Sequence, residues 1–324
     1  VPESALLAHI EAASRGMRLD EQTGWRVVIG PGDDAAELVG PSGRDAFGRE
    51  RDARLLVTVD QVVGGRHFDA ASTPVELIAR KAVARSVSDI AAMGGRPAWG
   101  LATGVLPAGY ARARELFDAM RRWADAWGCP LVGGDVAFHG SAADPMVLTV
   151  TVAGVLPSWH DALTRGGASV GDVVYVTGAV GGSLASGRHL TFEPRVEAGL
   201  VASQAGSVTA AIDVSDGLGR DAGRVGRASG VVVRMEAGLI PVHAERAGDV
   251  VAACADGEDH ELVLTVMEVG AEELEREMLK KAGVRLVRIG VCEAPAAGQG
   301  GGAVVVMPDG RVVDVAGLGW DHAG

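Results

Sequence analysis

The 324-residue chain sets 42 Asp and Glu against 30 Lys and Arg, a formal net charge of −12 with no basic cluster, which argues against a nucleic-acid partner. Its length suits two domains better than one and leaves room for a well-buried core. Cys129, Cys254 and Cys292 follow no CxxC spacing, and the chain from Val1 shows neither a charged and apolar leader nor a bilayer-length apolar run, so a soluble protein of the reduced cytoplasm with no membrane partner is expected.

In chain order, residues 4–14 place Leu6, Leu7, Ile10 and Ala13 on one face of a short amphipathic helix. The apolar run 55–59 reads as a buried strand delivering Asp60 at its carboxyl end. Thr73-Pro74-Val75-Glu76 has the residues of an N-cap, a first-turn proline and a capping-box glutamate, predicting a helix to about Met93. Along that helix Lys81, Arg85 and Ser88 or Asp89 make a polar face, while Leu77, Ile78, Ala82 and Ala92 turn inward. A strand over 98–105, a helix over 113–127 with core aromatics and a short strand at Leu131 and Val132 follow, with Gly133-Gly134-Asp135 as the turn beyond. A strand over 147–156 closes the first half, and 157–171 reads as a linker. The second half offers strands at 173–177, 210–214, 231–235, 261–266, 285–291 and 303–307, helices to about Ser229 and over 271–281, a Gly-rich turn at 178–183 and a loop at 294–302. The pattern is α+β without a fixed repeat.

Six segments combine carboxylates with small residues: GDDAA (32–36), TVDQVVGGRHF (58–68), SDIAAMGG (88–95), GGDV (133–136), DVSDGLGRD (213–221) and GEDHEL (257–262). Small neighbours leave room for a hard cation and its waters, so several magnesium ions are expected, with phosphate oxygens completing their coordination. Singly, each segment admits a simpler reading. Asp33-Asp34 and Asp135 suit polar turns, Asp213, Ser215 or Asp216 suits an N-cap, His67 suits a structural histidine, and Glu258 and Asp259 suit a solvated pair. Their recurrence at strand ends and turns favours a shared site. The chain lacks GxxxxGK[ST], HRD, DFG and GxSxG, and GAVGGS is only a partial nucleotide-loop pattern. Metal-assisted phosphoryl transfer from a nucleoside triphosphate remains, and an acidic protein handling an anionic nucleotide needs cations between the two.

GDDAA, the strand-borne TxD followed by VxGxHF, KAxxxSxSDIAAMGGxP, GGD, LTRxGAxxGD, YVTGxxGxS, IDVSDGLxxD and GEDxEL, in this order from Ile29 to the GWDH at Trp320, resemble the thiamine-monophosphate kinases of the aminoimidazole ribonucleotide synthetase superfamily. The resemblance implies a two-domain α+β fold. Residues 1–156 would form a metal- and ATP-binding domain that pairs through its sheet into a homodimer, and 157–324 a C-terminal α+β domain closing over the nucleotide. It implies ATP-dependent phosphorylation of thiamine monophosphate to thiamine diphosphate by direct in-line transfer, with no covalent intermediate. By position, Asp34, Thr58, Asp60, Asp89, Asp135, Asp213 and Asp216 resemble Mg2+ ligands. Gly134, Asp135, Arg165 and Ser215 resemble nucleotide contacts, and His67, Glu258 and Trp320 resemble contacts to the thiamine phosphate.

The chain departs from that pattern at Val59 and Val136, where threonines are usual, at His260, which replaces the tyrosine of GEDYEL, and in a shorter stretch over 186–197. Two alternatives therefore stand beside the kinase: another superfamily member with a different acceptor, and a nucleotide-binding protein that transfers nothing. Selenophosphate synthesis is disfavoured, because no cysteine precedes GDDAA.

Overall fold

The computed structural model describes residues 3–14, 19, 24–44, 50–156 and 161–320. Pro157 to His160 of the expected linker and the Asp-His of GWDH lie outside the described residues.

The first half contains α1 (Glu3–Ala13), β1 (Arg26–Ile29), β2 (Ala36–Arg44), β3 (Glu50–Val63), α2 (Val75–Ala92), β4 (Arg96–Leu106), α3 (Ala113–Ala126), β5 (Leu131–Phe138) and β6 (Val147–Val155). Its strands form one sheet in the order β1-β2-β3-β6-β4-β5, antiparallel except for the β4/β5 pair. Period-2 alternation sets the inner face: Leu56, Thr58 and Val62 of β3 and Leu148, Val150 and Val152 of β6 are buried, while Val59 points out and is 60% exposed. α2 covers the inner face with Ile78, Val83, Val87 and Ile90, and α3 adds Leu116 and Met120.

The second half contains β7 (Val173–Val176), α4 (Ser183–Ser186), α5 (Val196–Gln204), β8 (Val208–Asp213), α6 (Leu218–Ser229), β9 (Val232–Glu236), α7 (Val250–Ala255), β10 (Leu262–Val266), α8 (Glu268–Glu277), β11 (Val287–Glu293), β12 (Gly302–Val306) and β13 (Val312–Asp314). They build a sheet ordered β13-β12-β9-β11-β7-β10-β8, in which only β12 and β9 pair parallel. Both faces of its centre are covered. In β10, Val263 joins one apolar cluster while Leu262, Leu264 and Val266 join the other, so the strand reads as an unbroken apolar run.

Several expectations change at this level. α1 forms, but Ile10 and Ala13, the residues of its expected apolar face whose burial is described, are exposed. β3 continues past the expected end to Val63, placing Asp60 within the strand. No capping box starts α2: Pro74 occupies the cap position without a side-chain bond, and Glu76 pairs with Arg122 at 2.7 Å. GGD is no turn but the interior of β5, an edge strand exposed along nearly its whole length. A Cβ at Gly134 would stand 1.8 Å from the Ala102 carbonyl oxygen, so only glycine permits that strand contact. β1, β2, α4, α5, α7 and β13 carry weak patterns and were not legible.

α2 joins the halves. Its polar face is buried rather than solvated, with Lys81 at 0% exposure, because the second half packs over it. Across the boundary Ser88 Oγ donates to Asp213 Oδ2 (2.7 Å) and Lys81 Nζ pairs with Glu258 Oε2 (3.0 Å). α5 lies so close that a Cβ on Gly199 would sit 1.9 Å from the Ala91 carbonyl oxygen. Gly199→Ala should therefore cost about 1–3 kcal/mol as the helices are forced apart, read as a lower urea midpoint. Gly238→Ala, with open space around it and no left-handed backbone, serves as the control and should stay within about 0.5 kcal/mol of the parent.

Candidate active site

The ends of three elements meet beneath a cleft of about 930 Å3 between the two sheets. The turn before β2 supplies Asp33 and Asp34, the last turn of α2 supplies Asp89, and β8 ends on Asp213. Carboxylate oxygens of Asp34, Asp89 and Asp213 all lie within 4.8 Å of one another. Such a group of buried like charges is unfavourable unless a cation or protons intervene.

Each carboxylate answers differently. Burial drives Asp34 up to about 7, with Asp213 and Asp33 adding repulsion and Arg165 opposing. Burial, then Asp60, Asp213 and Asp34, raise Asp89 well above the ordinary range, although Thr58 Oγ1 donates to it at 2.5 Å. Burial works against ionisation of Asp213 too, but the hydrogen bond from His260, assisted by Ser88 and Arg165, outweighs it and holds Asp213 low. His260 rises to about 9: burial opposes its charge, and Asp213 and Glu258 more than compensate.

The donor set fits a hard divalent cation. Asp34 Oδ2 is buried without a hydrogen-bond partner among the described residues, and Asp34 offers a carboxylate oxygen within 4.8 Å of those of Asp89 and Asp213. Asp34 Oδ1 is held by Arg165 Nη2 at 2.6 Å, and Asp33 accepts the Arg165 backbone N–H (3.1 Å). Arg165 thereby ties the crossing segment between the sheets to the GDDAA turn.

The other expected ligands stand at greater remove. Asp60 lines the same cleft but is gripped by Arg85, whose Nε and Nη2 lie 3.2 and 3.3 Å from its oxygens. Asp216 also lines the cleft and pairs with Arg224 at 2.6 Å, and Ser215 sits beside it. None of Asp213, Ser215 and Asp216 caps α6, whose cap position is Gly217 without a side-chain bond. Instead Asp221 accepts the Asp216 and Gly217 N–H groups at 2.9 and 3.1 Å. Gly134 and Asp135 are not brought to the cluster: β5 lies three strands from β3, and Asp135 Oδ1 accepts the Val136 N–H.

Of the three expected acceptor contacts, His67 and Glu258 are joined through Lys81, and Trp320 is tied to Arg66 and to the Asp216 carbonyl. Lys81 Nζ donates to the His67 carbonyl oxygen (2.8 Å) and pairs with Glu258, joining the TxD strand's loop to the GEDHEL turn. His67 Nδ1 accepts the Val63 N–H at 2.9 Å, which fixes the ring. Glu258 also takes Arg85 Nη1 at 3.2 Å; burial opposes its charge, yet Arg85, His260 and Lys81 hold it well below the usual range. Trp320 donates its backbone N–H to the Asp216 carbonyl oxygen (2.9 Å), and its ring centroid is 5.9 Å from the Arg66 guanidinium. Gly319 before it has φ 125° and would place a Cβ 2.4 Å from that same carbonyl, so glycine is required there.

Sequence reasoning gave no site role to Asp33, Lys81, Arg85, Asp221 or Arg224. The α2 cations were legible as one helical face, but their burial depends on the second half folding over them. The Gly-rich turn 178–183 is no open phosphate cradle: the Gly181 and Gly182 N–H groups already donate to Asp259 and Asp256, each at 2.7 Å.

Because a cation must displace the proton that Asp34 holds up to about pH 7, divalent affinity should fall as the solution is acidified below that value, by up to about tenfold per pH unit for that one proton. Titration of the protein with Mn2+ between pH 5.5 and 8.5 reads this directly, and a pH-independent affinity would contradict it.

Residues 32–156 match the family model for the AIR synthase related protein, N-terminal domain. The chain is 34% identical to the thiamine-monophosphate kinase of Rhodopirellula baltica, the match covering 82% of this chain and 82% of the relative. It is 31% identical to that of Escherichia coli K12, over 99% of this chain and 98% of the relative. Among solved structures, thiamine-monophosphate kinase from Stenotrophomonas maltophilia K279a superposes with a TM-score of 0.70 at 28% identity, covering 96% of this chain and 98% of that one. Sequence similarity along the whole chain and a shared architecture agree, and the chain belongs to the thiamine-monophosphate kinase family.

Proposed function

We propose that this chain catalyses ATP-dependent phosphorylation of thiamine monophosphate to thiamine diphosphate. The observation that carries the reading is the buried cluster of Asp34, Asp89 and Asp213 at the base of an open cleft, in a chain similar to thiamine-monophosphate kinases over nearly its full length. A triphosphate and a phosphate acceptor repel each other and would both be repelled by these carboxylates. Mg2+ held there would neutralise the phosphates and align them for in-line transfer.

In this reading Asp34, Asp89 and Asp213 hold Mg2+, with Thr58, Asp60 and Asp216 flanking them as further ligands once substrates arrive. Thr58 orients Asp89 through its hydroxyl. Arg165 and Ser215 serve the nucleotide: the guanidinium, already beside Asp34, has the fork geometry that suits a phosphate. His67, Glu258 and Trp320 form the acceptor end, and Trp320, 41% exposed, offers a ring face to the cationic acceptor. A phosphate oxygen of the acceptor would attack the γ-phosphorus of ATP as the bond to the bridging oxygen breaks and ADP leaves, so no side chain serves as a covalent nucleophile.

Residues 1–156 and 157–324 act as the two domains, one around each sheet. A homodimer built on the first sheet covers the exposed Val59, Val132, Val136 and Phe138, and gives Gly134 and Asp135, remote from their own chain's cluster, a role in the partner's nucleotide site. A cytoplasmic setting suits the ATP requirement and the three reduced cysteines. No helix among the described residues is long and apolar enough to cross a membrane.

The direct test is turnover of purified protein with ATP, Mg2+ and thiamine monophosphate, following thiamine diphosphate by chromatography beside a no-acceptor control. Product is expected; ATP binding without product would favour another acceptor or a binding role. Asp60→Asn should lower kcat by at least about a hundredfold while the fold persists, and near-normal turnover would remove Asp60 from the metal site. Arg165→Ala should raise the KM for ATP more than that for thiamine monophosphate, and the reverse would place the crossing segment at the acceptor.

A further inference from the structure

His260 stands between the metal-holding carboxylates and the acceptor end, and the family resemblance gives this position a tyrosine and no role. Its ring is sealed from water, and both nitrogens face carboxylates: Nδ1 is 3.1 Å from Asp213 Oδ2 and Nε2 is 3.3 Å from Glu258 Oε2. An imidazole that meets acceptors on both sides must donate from both nitrogens, so it acts as a two-ended cationic link. Phe192 stacks on the ring with centroids 4.0 Å apart and planes 19° off parallel, fixing the ring plane that lets one imidazole reach both partners.

The backbone is built around that link. Glu258 and His260 have φ of 67° and 52°, the left-handed region that side chains other than glycine rarely enter. The turn is pinned to the chain leaving β8, because the Glu258 and His260 N–H groups donate to the Ser215 and Val214 carbonyl oxygens, each at 2.8 Å. The chain that carries Asp213 and the turn that carries Glu258 are thus joined through the main chain on one side and the imidazole on the other.

We propose that His260 is a positioning residue that couples Asp213 to Glu258, so that the metal-holding carboxylate and the acceptor-contacting carboxylate move as one unit. The assignment rests on the functional reading above, in which Asp213 holds Mg2+ and Glu258 meets the thiamine phosphate. Neither carboxylate depends on His260 alone: Ser88 also holds Asp213, and Lys81 and Arg85 also hold Glu258. Substitution at 260 therefore leaves no buried charge without a partner, and folded variants are expected.

The two ends of the ring can be separated. Asparagine places its amide near the Nδ1 position and glutamine near the Nε2 position, while phenylalanine keeps the stack on Phe192 and loses both links. Calorimetric titration with Mn2+ alone, and separately with thiamine monophosphate in the presence of Mg2+ and a non-hydrolysable ATP analogue, reads each end without turnover. His260→Asn should weaken thiamine monophosphate about tenfold and leave Mn2+ within about twofold. His260→Gln should do the opposite, and His260→Phe should weaken both. Parallel loss of both ligands in all three variants, or no change in any, overturns the positioning role while wild-type binding leaves the kinase reading standing. Wild-type protein that binds no thiamine monophosphate overturns the kinase reading itself, and this assignment with it.

Discussion

Mutual repulsion among Asp34, Asp89 and Asp213 is the constraint around which the rest is arranged. At a separation of about 4 Å two like charges cost about 1 kcal/mol in water but about 4 kcal/mol at the effective dielectric of a protein surface. The fold must supply enough rigidity to hold them together. It does so by carrying each on a different anchored element: a turn clamped by Arg165, the end of a helix buried on several sides, and the end of a strand whose neighbour β10 is fully buried. Loss of protons from the raised pair destabilises the cation-free fold as pH rises, since a carboxyl with an elevated folded value favours folding most when protonated. The stability forgone is what makes the site receptive to a cation.

Local pattern made much of this readable. Strands with one buried face or two, such as β6 and β10, announced themselves by alternation or by an unbroken apolar run, and α3 by its aromatic spacing. The carboxylates were legible because they recur among glycines and alanines, where bulk would block an ion. What failed was context. Thr73 had the chemistry of a cap but Pro74 took the position, and GGD had the chemistry of a turn but lies in an edge strand. Lys81 and Arg85 were legible as part of one polar face, and only the fold shows Lys81 buried against Glu258 of the second half and Arg85 gripping Asp60 of β3. Sequence spacing reports which residues share a face of one element, not which element will cover that face.

The stretch after α4 ties several neighbouring elements together. His189 Nδ1 lies 2.8 Å from Lys81 Nζ, Phe192 stacks on His260, Glu193 bonds Arg80 of α2 and Trp127 beyond α3, and Arg195 pairs with Glu261. A short segment thus touches α2, the residue that follows α3 and the GEDHEL turn. His260 and Phe192 meet in one stacked contact, so this stretch and the GEDHEL turn are joined through the ring at position 260.

The burial of α2 also limits how the molecule can breathe. The helix is packed against the first sheet, against α3 and against α5 at backbone contact distance, and it presents Lys81 and Ser88 to partners in the second half. Swinging the two sheets apart would uncover a charged amine and a carboxylate network together, so opening at this boundary carries an electrostatic cost. The standing mouth of the cleft offers ligands a way in that does not incur it.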